Sequence, residues 1–492
     1  MRALILIGLS CSWASCSLTV DTNVTQCSLD SDCVHFGSHP SCQAGVCVSS
    51  GLGPPNCFFG VPVEQSDFAN QCTTSQTLQF DNCARLNMCD DTSLAAAFTT
   101  SAPPANLGTI PPPVTNQPVP TVNCIDVAPN LIYITGSTNL PPLIKAVQPL
   151  LYAGAPPYVA VFAPQTSCKG AGSILDPDVT KHVIKNIVNN SAFYYDSTGA
   201  QQFCLLDVAG NTVDIGESDV YPASCSYSVV TNTADYLGPI QAITMVVPSS
   251  SKQNAISAEA AHLVFGAGGD NGRASPWSDA HFYFTRSSGT GTTQLVARAT
   301  TVDPAMVWGI DRLSAANLVA SMEAIDPSVA ESVIGLLSSD FADKGRANLR
   351  ELAFQQRGQT YGYLPDSSVE TFDKANVRDG HYPIWGAIHL ITATTNGVPS
   401  QAASSLITQF TVPKLDPQLV SAIIDSGFVP SCAMKVDHTT ELGPLATFKP
   451  AFGCGCFYEQ QVNGKNSCTA CTDNGDCSGS TPACNYGFCE AQ

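Results

Sequence analysis

The chain has 492 residues, and its 40 acidic against 21 basic side chains leave a net charge of −19. That length is too great for one compact core and calls for division into domains. The acidic balance excludes a nucleic-acid binder, because phosphate backbones are held by basic stripes.

Residues 1–15 read as a short secretory signal. Arg2 supplies the charge, residues 3–9 the apolar run, and Ala14-Ser15 the small residues before a cut. Cleavage there leaves Cys16 first, the position of a bacterial lipid anchor, although Trp13 stands where such sites carry an aliphatic residue. Plain secretion is the alternative. No later segment reaches the ~20 apolar residues of a membrane span. The expected location is the periplasm or the cell surface.

Of 22 cysteines, setting aside Cys11 and Cys16 leaves an even 20. In an exported chain that number predicts disulfides. Zinc held by Cys454, Cys456, Cys468 and Cys471 is the competing reading, and histidines are scarce around them.

Two cysteine frames match at the two ends. Cys27-x5-Cys33-x8-Cys42-x4-Cys47 and Cys471-x5-Cys477-x6-Cys484-x4-Cys489 share acids within the first interval and a glycine two residues before the last cysteine (Gly45 and Gly487). Segments this short cannot bury a core and rely on crosslinks. The aspartates shape turns; a cation held between them is the alternative. The predicted division is a module at 16–50, a cysteine-containing and proline-rich linker at 51–122, a main domain at 123–430, and a second cysteine-rich module at 431–492.

Within the main domain, strand-like and helix-like runs alternate, which predicts a doubly wound α/β architecture. Four apolar runs, at 131–134, 158–162, 213–215 and 282–284, are each followed by a polar stretch. These stretches are Gly136-Ser137-Thr138, Ser167-Cys168-Lys169-Gly170, Glu217-Ser218-Asp219 and 286–292. Polar loops after strands form the binding crevice of an open α/β sheet. Pro141-Pro142 opens a helical run that Thr138 or Asn139 is expected to cap, and Thr290-Gly291-Thr292 repeats the pattern. Helix starts of this kind present free N–H groups to an anion. An ordinary capped helix is the plainer reading of either one alone.

The stretches Val213-Asp214-Ile215-Gly216-Glu217-Ser218-Asp219 and Arg286-x-x-Gly289-Thr290-Gly291-Thr292, with Gly136-Ser137-Thr138 before them, resemble the signatures of bacterial phosphate-binding proteins. These are the type II periplasmic components of phosphate ABC transporters. The resemblance covers roughly residues 131–391 and neither cysteine-rich end. It implies two α/β lobes that close over an anion, with disulfide-rich modules added at both ends. Carried over by position, Ser137, Thr138 and Ser167 would bind anion oxygens from the first lobe. Asp219 would accept from a protonated oxygen, and Arg286, Thr290, Gly291 and Thr292 would bind from the second lobe. Lys169, Thr290 and Asn139-Leu140 depart from the family pattern. The implied partners are phosphate or a similar oxyanion and the membrane subunits of a transporter, with no cofactor, metal or nucleic acid.

An ion pair stitching the lobes together is the plainer role for Arg286 and Asp219. His262, His281, His381 and His389 read as core or surface residues. No nucleophile elbow, H-E-x-x-H helix or phosphate-loop lysine motif occurs, so the chain is not expected to be an enzyme. The alternative function is a surface interaction protein whose binding fold has lost its ligand.

Overall fold

The computed structural model describes residues 41–43, 46–48, 54, 57–58, 60–89, 100–104, 107, 119–185, 187–269 and 273–490. The expected signal, Cys16, Cys27, Cys33 and much of the proline-rich stretch lie outside these residues. Two units are distinguished: residues 1–62 with 70–74, and residues 63–69 with 75–492.

The smaller unit contains a hairpin, Ser41–Gln43 against Val46–Val48, in which Cys42 faces Cys47 in register. It also contains the Cys57–Cys72 disulfide.

The larger unit is built on a twelve-stranded mixed sheet. Its strands are β1 (Leu131–Ser137), β2 (Val159–Gln165), β3 (Ser191–Tyr195), β4 (Gln201–Leu205), β5 (Ile215–Ser218), β6 (Thr233–Pro248), β7 (Tyr283–Thr285), β8 (Ile310–Asp311), β9 (Ile334–Ser338), β10 (Leu349–Glu351), β11 (Trp385–Thr395) and β12 (Val398–Pro399). The order across the sheet is β8-β7-β9-β6-β11-β5-β1-β2-β3-β4, with β10 on β6 and β12 on β11. The helices that matter below are α1 (Pro141–Ala153), α2 (Ser167–Leu175), α3 (Gly291–Ala299), α4 (Gln401–Thr411), α5 (Pro417–Asp425) and α6 (Gly455–Asn463).

The expected lobes are the two halves of this sheet. β1 runs parallel to both β2 and β5 in one half, and β7 parallel to β8 and β9 in the other. The 16-residue β6 joins them. It pairs antiparallel with β11 from Thr233 to Ala242, with a register shift between Leu237 and Ile240, then with β9 from Ile243 to Val246. Such a shift bends and twists a strand, and here it coincides with the passage from one half to the other. The parallel strands are buried almost throughout, with Ile132, Ile134, Ala160 and Phe162 all inaccessible, as sheets covered on both faces require.

Two expected boundaries are corrected. Residues 75–89, read as linker, belong to the main unit. Thr77–Leu78 pairs with Gly362–Tyr363, and Phe80, Leu86 and Met88 enter the main core. The proline-rich composition begins only after this stretch, so composition misplaced the join. Residues 431–463 also pack on the main unit. Met434, Val436, Cys454 and Tyr458 are in the main core, and Cys432–Cys454 crosslinks the segment.

Among the described residues eight disulfides form, including Cys124–Cys204 and Cys168–Cys225 inside the α/β sheet region. The C-terminal frame closes on itself through Cys471–Cys484 and Cys477–Cys489. The cysteines open to a zinc reading are thereby paired. Disulfides at this density mark an extracytoplasmic protein. Among the described residues no helix is long and apolar enough to cross a membrane.

Candidate functional site

β1, β2 and β5 end at one edge of the sheet because they are parallel and in register, and the polar residues that follow them meet there. The β1–β2 ladder continues to Ser137 opposite Gln165, so Ser137 closes a strand where a loop was expected. Glu217 and Ser218 likewise lie within β5, and Ser167 is the first residue of α2, which Thr166 caps through the Lys169 N–H at 3.2 Å. Glycine makes the junction possible. A Cβ on Gly170 would land on the Glu217 carbonyl.

Asp219 is the hub. Its Oδ2 accepts from Ser137 Oγ at 2.6 Å, Ser167 Oγ at 3.1 Å and Asn139 Nδ2 at 3.3 Å. The Ser137 N–H donates to Glu217 Oε2 at 2.5 Å. Neither Thr138 nor Asn139 caps α1. Leu140 occupies that position with no side-chain bond; Asn139 Nδ2 instead donates to Asp219 and to Gln241 Oε1 at 2.9 Å, and Thr138 Oγ1 faces Arg286.

The other half of the sheet contributes the segment after β7. Gly291 donates its N–H to Ser167 Oγ at 2.9 Å, and Cys168 donates its N–H to the Gly289 carbonyl at 3.0 Å. Arg286 Nη2 donates to Thr138 Oγ1 at 3.4 Å and to the Leu313 carbonyl at 3.0 Å. Thr290 caps α3 by accepting from the Thr293 N–H, and Thr292 is buried in its first turn. The eight residues singled out by sequence thus lie along one seam, with Ser137, Thr138, Ser167 and Asp219 on one side and Arg286, Thr290, Gly291 and Thr292 on the other.

Three members of the cluster were not singled out. Glu217 is visible in its motif, and the sequence places Asn139 at a helix cap. Gln241, which donates to Asp340 Oδ1 at 3.3 Å, sits mid-strand. Its signal was a lone amide in the apolar run Ile240-Gln241-Ala242-Ile243.

Burial dominates the electrostatics. It pushes the Glu217 carboxyl well above the ordinary range, and the neighbouring Asp219 charge adds to the rise. Asp219 is also raised by burial, opposed by the Ser137, Glu217 and Ser167 hydrogen bonds and by Arg286. Two buried carboxyls side by side cannot both ionise cheaply. Burial lowers the Arg286 guanidinium, while Asp311 and Asp219 favour its charge. Among the described residues Arg286 Nε and Asn139 Oδ1 are buried without hydrogen-bond partners, and neither Glu217 Oε1 nor Asp219 Oδ1 meets a donor. Buried groups left so cost ~1–3 kcal/mol each. The cluster can therefore accept a small group carrying both acceptors and a proton. In the closed arrangement the serine hydroxyls already serve Asp219.

No protein-family model matches the chain, and no curated protein matches it. Solved structures that it resembles include a protein from Clostridium perfringens described as a phosphate ABC transporter substrate-binding protein with bound phosphate, at 11% identity and TM-score 0.41, covering 61% of this chain and 99% of the other. An ABC-type phosphate transport receptor from Vibrio cholerae gives 12% identity and TM-score 0.39, covering 61% and 100%. An OxyR mutant of Corynebacterium glutamicum gives 7% identity and TM-score 0.33, covering 60% and 65%. Likeness at this level assigns no ligand.

Proposed function

We propose that the chain binds phosphate or a closely related protonated oxyanion outside the cytoplasm, between the two halves of its sheet. The observation that carries this is the convergence of Arg286, with its buried unpartnered Nε, on the Asp219 hub that two serine hydroxyls and the Gly291 end of α3 surround. Arginine and a helix start supply the attraction. The carboxyls of Asp219 and Glu217 supply acceptors for the ligand's own proton. Entry requires the seam to part, and closure then exchanges the Ser137 and Ser167 bonds from Asp219 to ligand oxygens. Delivery to the membrane subunits of a transporter or to a sensor, with a tether through lipidated Cys16, completes the proposal.

Calorimetry with phosphate, arsenate and sulfate tests it, and saturable phosphate binding that Arg286→Ala weakens is expected. The alternative is an interaction protein with no small ligand at this seam. In its favour, Asp219 already satisfies both serine hydroxyls in the closed state. Failure to bind any of the three anions would select it.

A further inference from the structure

A second cavity, of about 350 Å³, lies over β6 and β11 and is separate from the Asp219 hub. Its size is within the ordinary range for small-molecule sites. Ile240 and Ala387 form the floor, Phe410 at the end of α4 and Leu415 before α5 form one wall, and Met434 and Phe448 form the other. The second wall belongs to the segment crosslinked by Cys432–Cys454, which extends the two-lobed core.

Charge narrows what this cavity can hold. Among the described residues no lysine or arginine lines it, and the acidic Asp437 does, so an anion is disfavoured. His438 stacks on Trp385 with ring centroids 4.0 Å apart. Burial pulls the His438 pKa below its ordinary value, so it adds no positive charge near neutral pH. Polar complementarity narrows it further. Trp385 is 3% exposed and its Nε1 has no hydrogen-bond partner among the described residues. Of the other polar groups that line it, the Tyr221 hydroxyl is spent on the His438 carbonyl at 2.7 Å, while the His438 ring nitrogens, like Trp385 Nε1, are buried without a partner among the described residues. A buried indole N–H without an acceptor is costly, and a ligand oxygen would relieve it.

We propose that this cavity is a second ligand site, for an uncharged, mainly apolar small molecule whose carbonyl or ether oxygen accepts from Trp385 Nε1. It is independent of the oxyanion site and would stand if that site bound nothing.

The test is a titration of the full chain with Nile red, a neutral dye with a carbonyl acceptor and polarity-sensitive emission. One saturable, blue-shifted site is expected. Trp385→Phe keeps the ring and removes the donor, and should weaken binding about tenfold. Ala451→Trp, at an exposed position on the rim, should abolish binding while leaving the thermal melt unchanged. The anionic dye anilinonaphthalenesulfonate should bind much more weakly than Nile red. The proposal is overturned by Nile red binding that neither variant changes, by tighter binding of the anionic dye, or by no saturable binding. The last outcome would include occupation of the cavity by the chain's own residues.

Discussion

Gly291 donates its N–H to the Ser167 hydroxyl at 2.9 Å, across the seam between the two halves of the sheet. The contact depends on glycine, because a Cβ on Gly291 would stand 2.5 Å from the Asp219 Cβ. Gly291→Ala should therefore hold the seam open. Overpacking of this kind costs about 1–3 kcal/mol. The expected outcome is a lower melting temperature and at least tenfold weaker phosphate binding by calorimetry. A variant with unchanged values for both would show that the seam has room to give.

Selectivity follows from the two carboxyls. Hydrogen phosphate carries a proton for Asp219, whereas sulfate has none and would leave a buried acceptor facing a like charge. Phosphate should bind at least ~100-fold more tightly than sulfate, about 2.7 kcal/mol. Asp219→Asn should narrow the gap, since an amide can donate to a fully ionised oxygen. Competition calorimetry at pH 7 measures both, and equal affinities in the unmodified chain would remove Asp219 from that role.

Stability should fall as pH rises from the acid side. Glu441 is pushed by burial to about 7, from 4.5. Between those values the folded state retains a proton that the unfolded state has released, so each step upward in pH favours unfolding. Below about 4.5 the contribution is constant, and above about 7 the loss is complete. The cost is a few kcal/mol at most, at about 1.4 kcal/mol for each pH unit between the two pKa values. Glu217, also raised, acts in the same direction. Denaturant melts from pH 4.5 to 7.5 should show the decline, and Glu441→Gln should flatten it.

Cys168–Cys225 links the start of α2, beside Ser167, to the turn that follows Asp219 and spans 57 residues of sequence. Its removal by paired alanines should cost about 2–4 kcal/mol. Oxyanion affinity should fall further than on removing Cys456–Cys468, which lies in the C-terminal segment. Equal losses would assign the crosslink to stability alone.

The matched cysteine frames predict matched pairing. In the C-terminal frame the first cysteine joins the third and the second joins the fourth. Its hairpin sets Cys484 opposite Cys489, and the N-terminal hairpin sets Cys42 opposite Cys47 in the same register. Non-reducing peptide mapping should find Cys27–Cys42 and Cys33–Cys47. Bridges running from one end of the chain to the other would end the repeat interpretation.

Local pattern was enough for the alternation of strands and helices, the polar residues at strand ends and the crosslinked C-terminal frame. Each of these depends on neighbours within a few positions. A buried parallel strand reads as an apolar run wherever it lies, and a glycine followed by a hydroxyl residue reads as a tight junction. What local pattern could not carry was anything set by residues far apart in the chain. The role of Glu217 depends on Ser137, 80 positions away, and that of Gln241 on Asn139, 102 positions away. The caps expected of Thr138 and Asn139 do not form for the same reason, since Thr138 is engaged by Arg286 and Asn139 by Asp219 and Gln241, both from distant segments. The membership of residues 75–89 and 431–463 in the main unit was equally hidden, because a short apolar segment does not name the surface it covers. Burial by distant elements raised the carboxyls of the seam and left Trp385 Nε1 without a partner, and both effects exist only once the sheet and its coverings are assembled.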